Sequence, residues 1–477
     1  MKRLHFIICF MCPILSVGQG VDTLSINPEK IDSVLSFSDY MRWVEAYHPV
    51  SVQADLQIDM ADRKMQMARG GFDPLLYGNY RLKEYEQTEY YNALQAGLEI
   101  PTWFGLSLQA GYEENGGVFL NPENNVPEAG LINVGVTAEL GAGLLMDSRR
   151  AAFRQAEIAQ DAGRAERTLI RNTLYREAVR AYAEWALSYV SVNVALEALE
   201  LATVRYGAVR ESFLLGDLPA IDTVEAYTQV LNRFYNLREA QNNFLDAVNA
   251  ASVYLWDEDT RPMFLRPGIA PDWVNLRIVD FNDISLVISQ DHPELLLLSY
   301  DRFALDIDRR LAAEYLRPTI QLKYNFLTEN VYPSPADDFF QESRFFANNY
   351  DFGAKVTFPL FVREARGQVG MAKIGMRSLQ LDYDLKLVEL QAQLNATLGK
   401  LQNLRDQIVF FRQNVELLTR LIEGERQLFE MGESSLFLVN AREINLIQGQ
   451  NIYNSLIAKE KILRAEARYI AGQGFEP

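Results

Sequence analysis

The sequence predicts an α+β membrane protein: two tandem repeats, each a set of amphipathic strands followed by a long helical hairpin. Three observations predict it. Residues recur at a fixed offset between the two halves. Segments of about ten residues alternate apolar and polar. Two proline-free stretches are far longer than a globular-domain helix.

The chain opens with Lys2 and Arg3, an apolar stretch from Leu4 to Leu15, and the small residues Ser16 and Gly18. That order marks residues 1–18 as a secretory signal peptide, with cleavage expected after Gly18 or, alternatively, Gly20. Cys9 and Cys12, the only cysteines, lie inside it without the leucine-then-small pattern of a lipid-anchored cysteine. The expected mature chain therefore has no disulfide, thiol nucleophile or thiolate metal site.

Loss of Lys2 and Arg3 takes the formal charge from −17 to −17 − 2 = −19. So acidic a chain lacks the basic face of a nucleic-acid binder. No run of 18 apolar residues follows the leader, so no helix is expected to span a membrane, and a membrane-embedded form is expected as a β-barrel, whose strands satisfy one another's backbone groups.

The repeat is legible by eye. Phe37-Ser38-Asp39 precedes His48-Pro49, and Phe281-Asn282-Asp283 precedes His292-Pro293, at an offset of 281 − 37 = 244. Pro74 against Pro318 and Tyr80 against Tyr324 keep that register. Arg150 against Arg366, Ala156 against Ala372, Ile158 against Ile374 and Gly216 against Gly432 follow an offset of 216. The difference, 244 − 216 = 28 residues, is an insertion between Tyr80 and Arg150. The first repeat is placed at 19–256, a proline-rich linker at 257–280, and the second repeat at 281–477.

Within the first repeat, helices are expected over 37–70 and strands over 75–141. Leu76, Gly78, Tyr80 and Leu82 alternate with Tyr77, Asn79, Arg81 and Lys83. The same period of two appears at 94–100, 106–112 and 132–138, with Gln95, Glu99, Gln109, Glu113, Asn133 and Glu139 on the opposite faces. The second repeat offers a helix over 281–315 and two strands within 319–361, with Asp351 and Lys355 on the polar face. Alternation alone also fits a half-buried soluble sheet. Strand length, aromatics near strand ends (Tyr85, Tyr90, Trp103, Phe361) and the leader favour a membrane barrel. The insertion is the size of one hairpin, giving four strands plus two. Six strands are too few to close around a lumen, so several copies must share one barrel.

Long helices are expected over 147–215 and 364–431, about 100 Å each. Gly216 and Gly432 suit the left-handed position past a helix end. Pro219 and Ser434 are expected to start the returning helices, 219–256 and 435–471. His48 and His292, each before a proline, read as helix starts and not as metal ligands. No nucleotide loop, nucleophile elbow or His-based triad is present, so neither catalysis nor a cofactor is expected.

Phe213-Leu214-Leu215-Gly216 running into Ala220-Ile221-Asp222-Thr223-Val224-Glu225-Ala226, and Phe429-Glu430-Met431-Gly432 running into Phe437-Leu438-Val439-Asn440-Ala441, resemble the tip turns of the TolC family of outer-membrane efflux proteins. The resemblance covers essentially the whole mature chain. It implies a homotrimer whose transmembrane β-barrel, set in outer-membrane lipid, continues into a long periplasmic α-helical barrel. It also implies a passive exit duct of a tripartite efflux or secretion system, opened by a periplasmic adaptor (membrane fusion) protein and an inner-membrane pump or secretion ATPase. On that resemblance Phe213, Leu215, Gly216, Asp217, Leu218, Phe429, Met431, Gly432, Glu433 and Ser434 form the adaptor-docking tip.

Two departures stand out. Ser212 and Leu428 occupy the place of an arginine often found before the tip Phe. Where some members carry acidic residues of a lumen ring, this chain has Leu438 and Asn440; Asp222 and Glu225, three apart on one helix face, are the candidate lumen gate charges. The alternatives are a soluble periplasmic coiled-coil scaffold, or a duct for type I polypeptide secretion in place of small-molecule efflux.

Overall fold

The computed structural model describes residues 33–266, 268–279, 286–329 and 349–473. The signal-peptide expectation, and Phe281-Asn282-Asp283, lie outside the described residues.

The chain enters through a short strand, β1 (Ser33–Leu35), and two helices, α1 (Phe37–Tyr47) and α2 (Pro49–Gly70). The break between them is chemical. Pro49 disfavours helical backbone at the residue before it, so His48 takes an extended conformation (φ −65°, ψ 131°), and its Nδ1 accepts the Val50 N–H at 3.2 Å. The second repeat repeats the device. His292 is extended and α6 begins at Pro293, running to Glu314. Of the expected helix over 281–315, residues 281–285 lie outside the described residues, 286–289 carry no secondary structure, and the helix runs from Pro293, whose ring sets its first turn.

Six strands follow the alternation: β2 (Leu75–Tyr85), β3 (Thr88–Pro101), β4 (Leu106–Gly116), β5 (Leu131–Gly141), β7 (Thr319–Thr328) and β8 (Tyr350–Thr357). They form one antiparallel sheet in the order β2-β3-β4-β5-β7-β8. Its registers run polar residues into one row, Glu99–Gln109–Gly135–Asn325–Asp351, and apolar residues into the next, Ile100–Leu108–Val136–Tyr324–Phe352. Asn325 and Thr137 on the polar face are buried, whereas Leu108, Val136 and Phe352 stand exposed. This inverts the usual soluble arrangement. Among the described residues the outer sides of β2 and β8, the two edge strands, have no partner strand.

From β5 the chain turns into α3 (Ser148–Leu215), a single helix of 68 residues, roughly 100 Å long. Asp147 caps it, accepting the Arg150 N–H at 2.8 Å. The buried Arg150 guanidinium also donates to the carbonyls of Gly143 and Leu144, locking the strand-to-helix turn. Its counterpart α7 (Arg363–Glu430) has the same length. The helices returning from the far ends are α4 (Ala220–Ser252) and α8 (Leu436–Ile470). They are about half as long, so each covers only the tip-side part of its partner.

The remainder is covered end to end by shorter helices. On α3, Arg167 pairs with Asp55 of α2 at 2.6 Å; on α7, Lys386 pairs with Glu294 of α6 at 2.8 Å. An 18-residue stretch of α3, with mean hydropathy 1.3, is long and apolar enough to cross a membrane by length and composition. Alanines raise that average without making an unbroken apolar run, and α3 packs against α2, α4, α6 and α8.

The main core lies within the first repeat and the segment that follows it, with Ala465 of α8 the one buried member from the second repeat. Trp185, Tyr182 and Ala186 of α3 are fully buried with Tyr40 and Val44 of α1. The expected linker over 257–280 is itself built into this region. A second short strand, β6 (Ile269–Pro271), pairs parallel with β1, and α5 (Trp273–Leu276) follows it. The Tyr182 hydroxyl donates to the Leu35 carbonyl at 2.7 Å and accepts the Asp272 N–H at 2.9 Å, so one phenol ties both short strands to the long helix.

Candidate functional site: the hairpin tips

Both hairpins end in the same six-residue hydrogen-bond pattern. Gly216 N–H donates to the Phe213 carbonyl and Asp217 N–H to that of Ser212, each at 3.0 Å. At the second tip Gly432 N–H donates to Phe429 and Glu433 N–H to Leu428, at 3.0 and 2.9 Å. The glycines lie at φ +88° and +75°, in the left-handed region where a Cβ is strained, which is why glycine stands at both.

The next residues differ from expectation in a physically simple way. Pro219 caps α4 instead of opening it. Ser435, not Ser434, caps α8, its Oγ accepting the Leu438 N–H at 3.4 Å. Ser434 donates instead to Glu425 Oε1 at 2.5 Å, a charged acceptor that holds it against α7.

The sequence-predicted tip set divides into two groups. Leu215 (74 % exposed), Met431 (64 %), Asp217 and Glu433 project outward. Leu218 and Phe429 turn inward, packing with Tyr206 on buried Val209, Ala226 and Leu436, so the two hairpins share one apolar cluster just behind their tips. Phe213 is borderline, at 39 % exposed.

A buried ionic network lies next to that cluster, and no spacing in the sequence announces it. Arg205 of α3 donates from Nη1 to Asn440 Oδ1 at 2.8 Å and grips Glu443 of α8 with both Nη atoms. Arg426 of α7 reaches the same carboxylate at 3.2 Å. Asn440 passes the connection on, donating to Glu225 Oε1 of α4 at 3.0 Å. Four helices therefore meet on one carboxylate and one amide. Burial alone would raise the Glu443 carboxyl, but Arg205, Arg233 and Arg426 together hold it below the usual glutamate range. Burial pushes the Arg233 guanidinium down, against the pull of Glu443.

Asp222 and Glu225 share one face of α4, both half-buried. Glu225 is engaged by Asn440, whereas Asp222 lies in the first turn of α4, where a negative charge favours the helix dipole. Among the described residues no cluster of three or more His, Cys, Asp or Glu is placed to hold a metal ion.

The chain thus combines a two-faced sheet with open edges and two long helical hairpins with matched tips. In fold the chain is similar to solved outer-membrane channels, the fold that its tip motifs led us to expect. It is similar to the CmeC outer membrane channel of Campylobacter jejuni, with a TM-score of 0.63, 14 % identity, 92 % of this chain and 86 % of that chain covered. It is equally similar to the outer membrane protein VceC of Vibrio cholerae, with a TM-score of 0.62, 15 % identity and coverage of 92 % and 96 %. The open state of the MtrE outer membrane channel of Neisseria gonorrhoeae matches at a TM-score of 0.62, 12 % identity and coverage of 91 % and 88 %. No family model and no curated protein matches the chain by sequence.

Proposed function

We propose that this chain is one subunit of a trimeric channel in the outer membrane, extending into the periplasm as the passive exit duct of a tripartite efflux or secretion system. The observation that carries the proposal is the inverted sheet. Leu106, Leu108, Val134 and Val136 of the central strands β4 and β5 are exposed on one face while Asn325 and Thr137 are buried on the other, the arrangement expected with lipid outside and water inside.

In this reading the helical hairpins line the periplasmic duct, and the tips meet the partners. Leu215 and Met431 offer apolar contact to a periplasmic adaptor, flanked by Asp217 and Glu433. Leu218, Phe429 and Ser434 hold the tips in shape from behind. Asp222 and Glu225 place negative charge near the narrow end, and the network on Glu443 keeps the hairpins of one subunit together until adaptor and inner-membrane transporter draw them apart. The chain does no chemistry. Its work is to enclose a path, and the partners supply the energy.

Purified trimer reconstituted in planar bilayers is expected to conduct with a preference for cations, in keeping with the chain's formal net charge of −17. Folded protein that never inserts, and that leaves cells with the osmotic-shock fluid, would sink the proposal in favour of a soluble scaffold. Replacing Leu215 and Met431 together by glutamate should abolish crosslinking to a periplasmic adaptor in cells while the trimer persists.

A further inference from the structure

The two repeats do not contribute equally to the sheet, and the structure identifies the added part. The offset of 244 maps Leu75 onto Thr319, so β2 and β7 are equivalent; the offset of 216 maps Val134 onto Tyr350, so β5 and β8 are equivalent. The strands left over are β3 and β4, and they are the insertion. Their hairpin is not an appendage. It lies between β2 and β5, hydrogen-bonded to both, with Leu98 and Ala110 in one row with Leu76 and Val134. On its other face Gln95 donates to Glu113 at 3.2 Å. The inserted strands have the same polar and apolar sides as their neighbours.

We infer that each subunit contributes six strands to a barrel of 6 × 3 = 18, and that the barrel closes by pairing β8 of one copy with β2 of the next, Asp351 facing Arg81 of the partner subunit. This rests on the trimeric channel reading above. The occupant of the open edges is a second copy of this chain, because the repeat already contains the joint. Within one chain β5 pairs with β7, Gly135 opposite Asn325. Carrying each partner across by its own offset gives 135 + 216 = 351 and 325 − 244 = 81.

That register juxtaposes an acidic and a basic side chain on the polar face. Arg81 makes no ion pair or side-chain hydrogen bond among the described residues, and Asp351 lies 3.7 Å from Lys323 at the neighbouring strand. On the apolar face the same register sets Tyr350 against Leu82 of the partner subunit, Phe352 against Tyr80 of the partner subunit and Val356 against Leu76 of the partner subunit. All six are more than half exposed in the single chain. A shift by one residue would turn Arg81 into lipid.

The added hairpins widen the barrel. With strands about 4.8 Å apart and tilted by roughly 40°, eighteen enclose a cylinder roughly 36 Å across between backbones, against roughly 24 Å for the twelve of an unexpanded duplication.

The test uses the full chain in its membrane. Gly353→Cys and Asn79→Cys, combined in one chain, are directly opposite in this register and should oxidise to covalent trimer. Gly353→Cys with Tyr77→Cys or with Arg81→Cys, two residues off, should crosslink at least several-fold less, since diagonal neighbours lie beyond disulfide reach. Leu108→Cys should react only with lipid-phase reagents and Gln109→Cys only with aqueous ones. A strand count by electron cryomicroscopy of the unmodified trimer should give eighteen. A membrane-inserted trimer with twelve strands, or with positions 108 and 109 equally water-accessible, would overturn this inference and leave the channel intact. A protein that fractionates as soluble would overturn both.

Discussion

The guanidinium of Arg205, on the first long helix, grips both carboxylate oxygens of Glu443, on the second returning helix, at 2.9 and 2.8 Å. Glu443 is only 3 % exposed, and it comes from the other repeat. The pair is thus the strongest polar link between the two hairpins of one subunit near their tips. A two-pronged arginine–carboxylate contact also fixes orientation, which a single lysine contact would not.

Glu443→Ala should be among the most destabilising single changes at the tip end. It leaves Arg205 uncompensated, and removing one partner of a buried pair costs about 3–5 kcal/mol. Protease sensitivity of the tip turns, followed with rising urea, should increase sharply. The double change Arg205→Ala with Glu443→Ala should recover part of the loss, because Arg205 is then no longer stranded and only Arg233 and Arg426 lose the carboxylate. An additive double variant would show that the two side chains are not energetically coupled.

The glycine turns give a cleaner, smaller effect. At Gly432 an added Cβ would meet nothing within 4 Å, so Gly432→Ala costs only the strain of its positive φ, about 1–2 kcal/mol. Gly432→Asn should cost less, since asparagine tolerates that conformation. Local melting of the second tip by hydrogen exchange at residues 428–436 would measure both. Equal protection in all three proteins would show that the left-handed turn is not what glycine supplies there.

Acid should loosen the chain in two stages. Burial pushes the His48 and His292 imidazoles below the ordinary range, and His48 Nδ1 must be unprotonated to accept the Val50 N–H. Groups with a depressed folded value contribute stability that is full above their unfolded value and is lost as pH falls through the folded one. The two imidazoles therefore act first, at mildly acid pH. Glu443, depressed within the carboxylate range, acts at stronger acid. Thermal melting from pH 8 downward should show the early loss, and His48→Asn, which keeps a cap without a titrating ring, should reduce it.

Trp185 and Tyr182 separate packing from hydrogen bonding in the main core. Trp185→Ala should cost about 3–5 kcal/mol through the cavity it leaves. Tyr182→Phe keeps the ring but loses two hydrogen bonds, to Leu35 and Asp272, at a cost of about 2 kcal/mol. Denaturant midpoints of the two variants would rank them. The reverse order would mean that the phenol, and not the packing, holds the short strands to α3.

The alternation of Leu106, Leu108 and Ala110 with Gln109 and Glu113, the glycines at 216 and 432, and the offsets of 244 and 216 are local features. Period and spacing alone therefore determined the strands, the long hairpins, their tip turns and the presence of an inserted hairpin. What tertiary structure decided is which distant residues share a place. Ser434 against Glu425 displaced the expected cap, the expected linker folded into β6 and α5, and Asn440 and Glu225 met across four helices on the Arg205–Glu443 pair. Position along a helix sets the face a side chain occupies, but which other helix lies against that face depends on how the whole chain packs, and nothing in a single segment's periodicity encodes that.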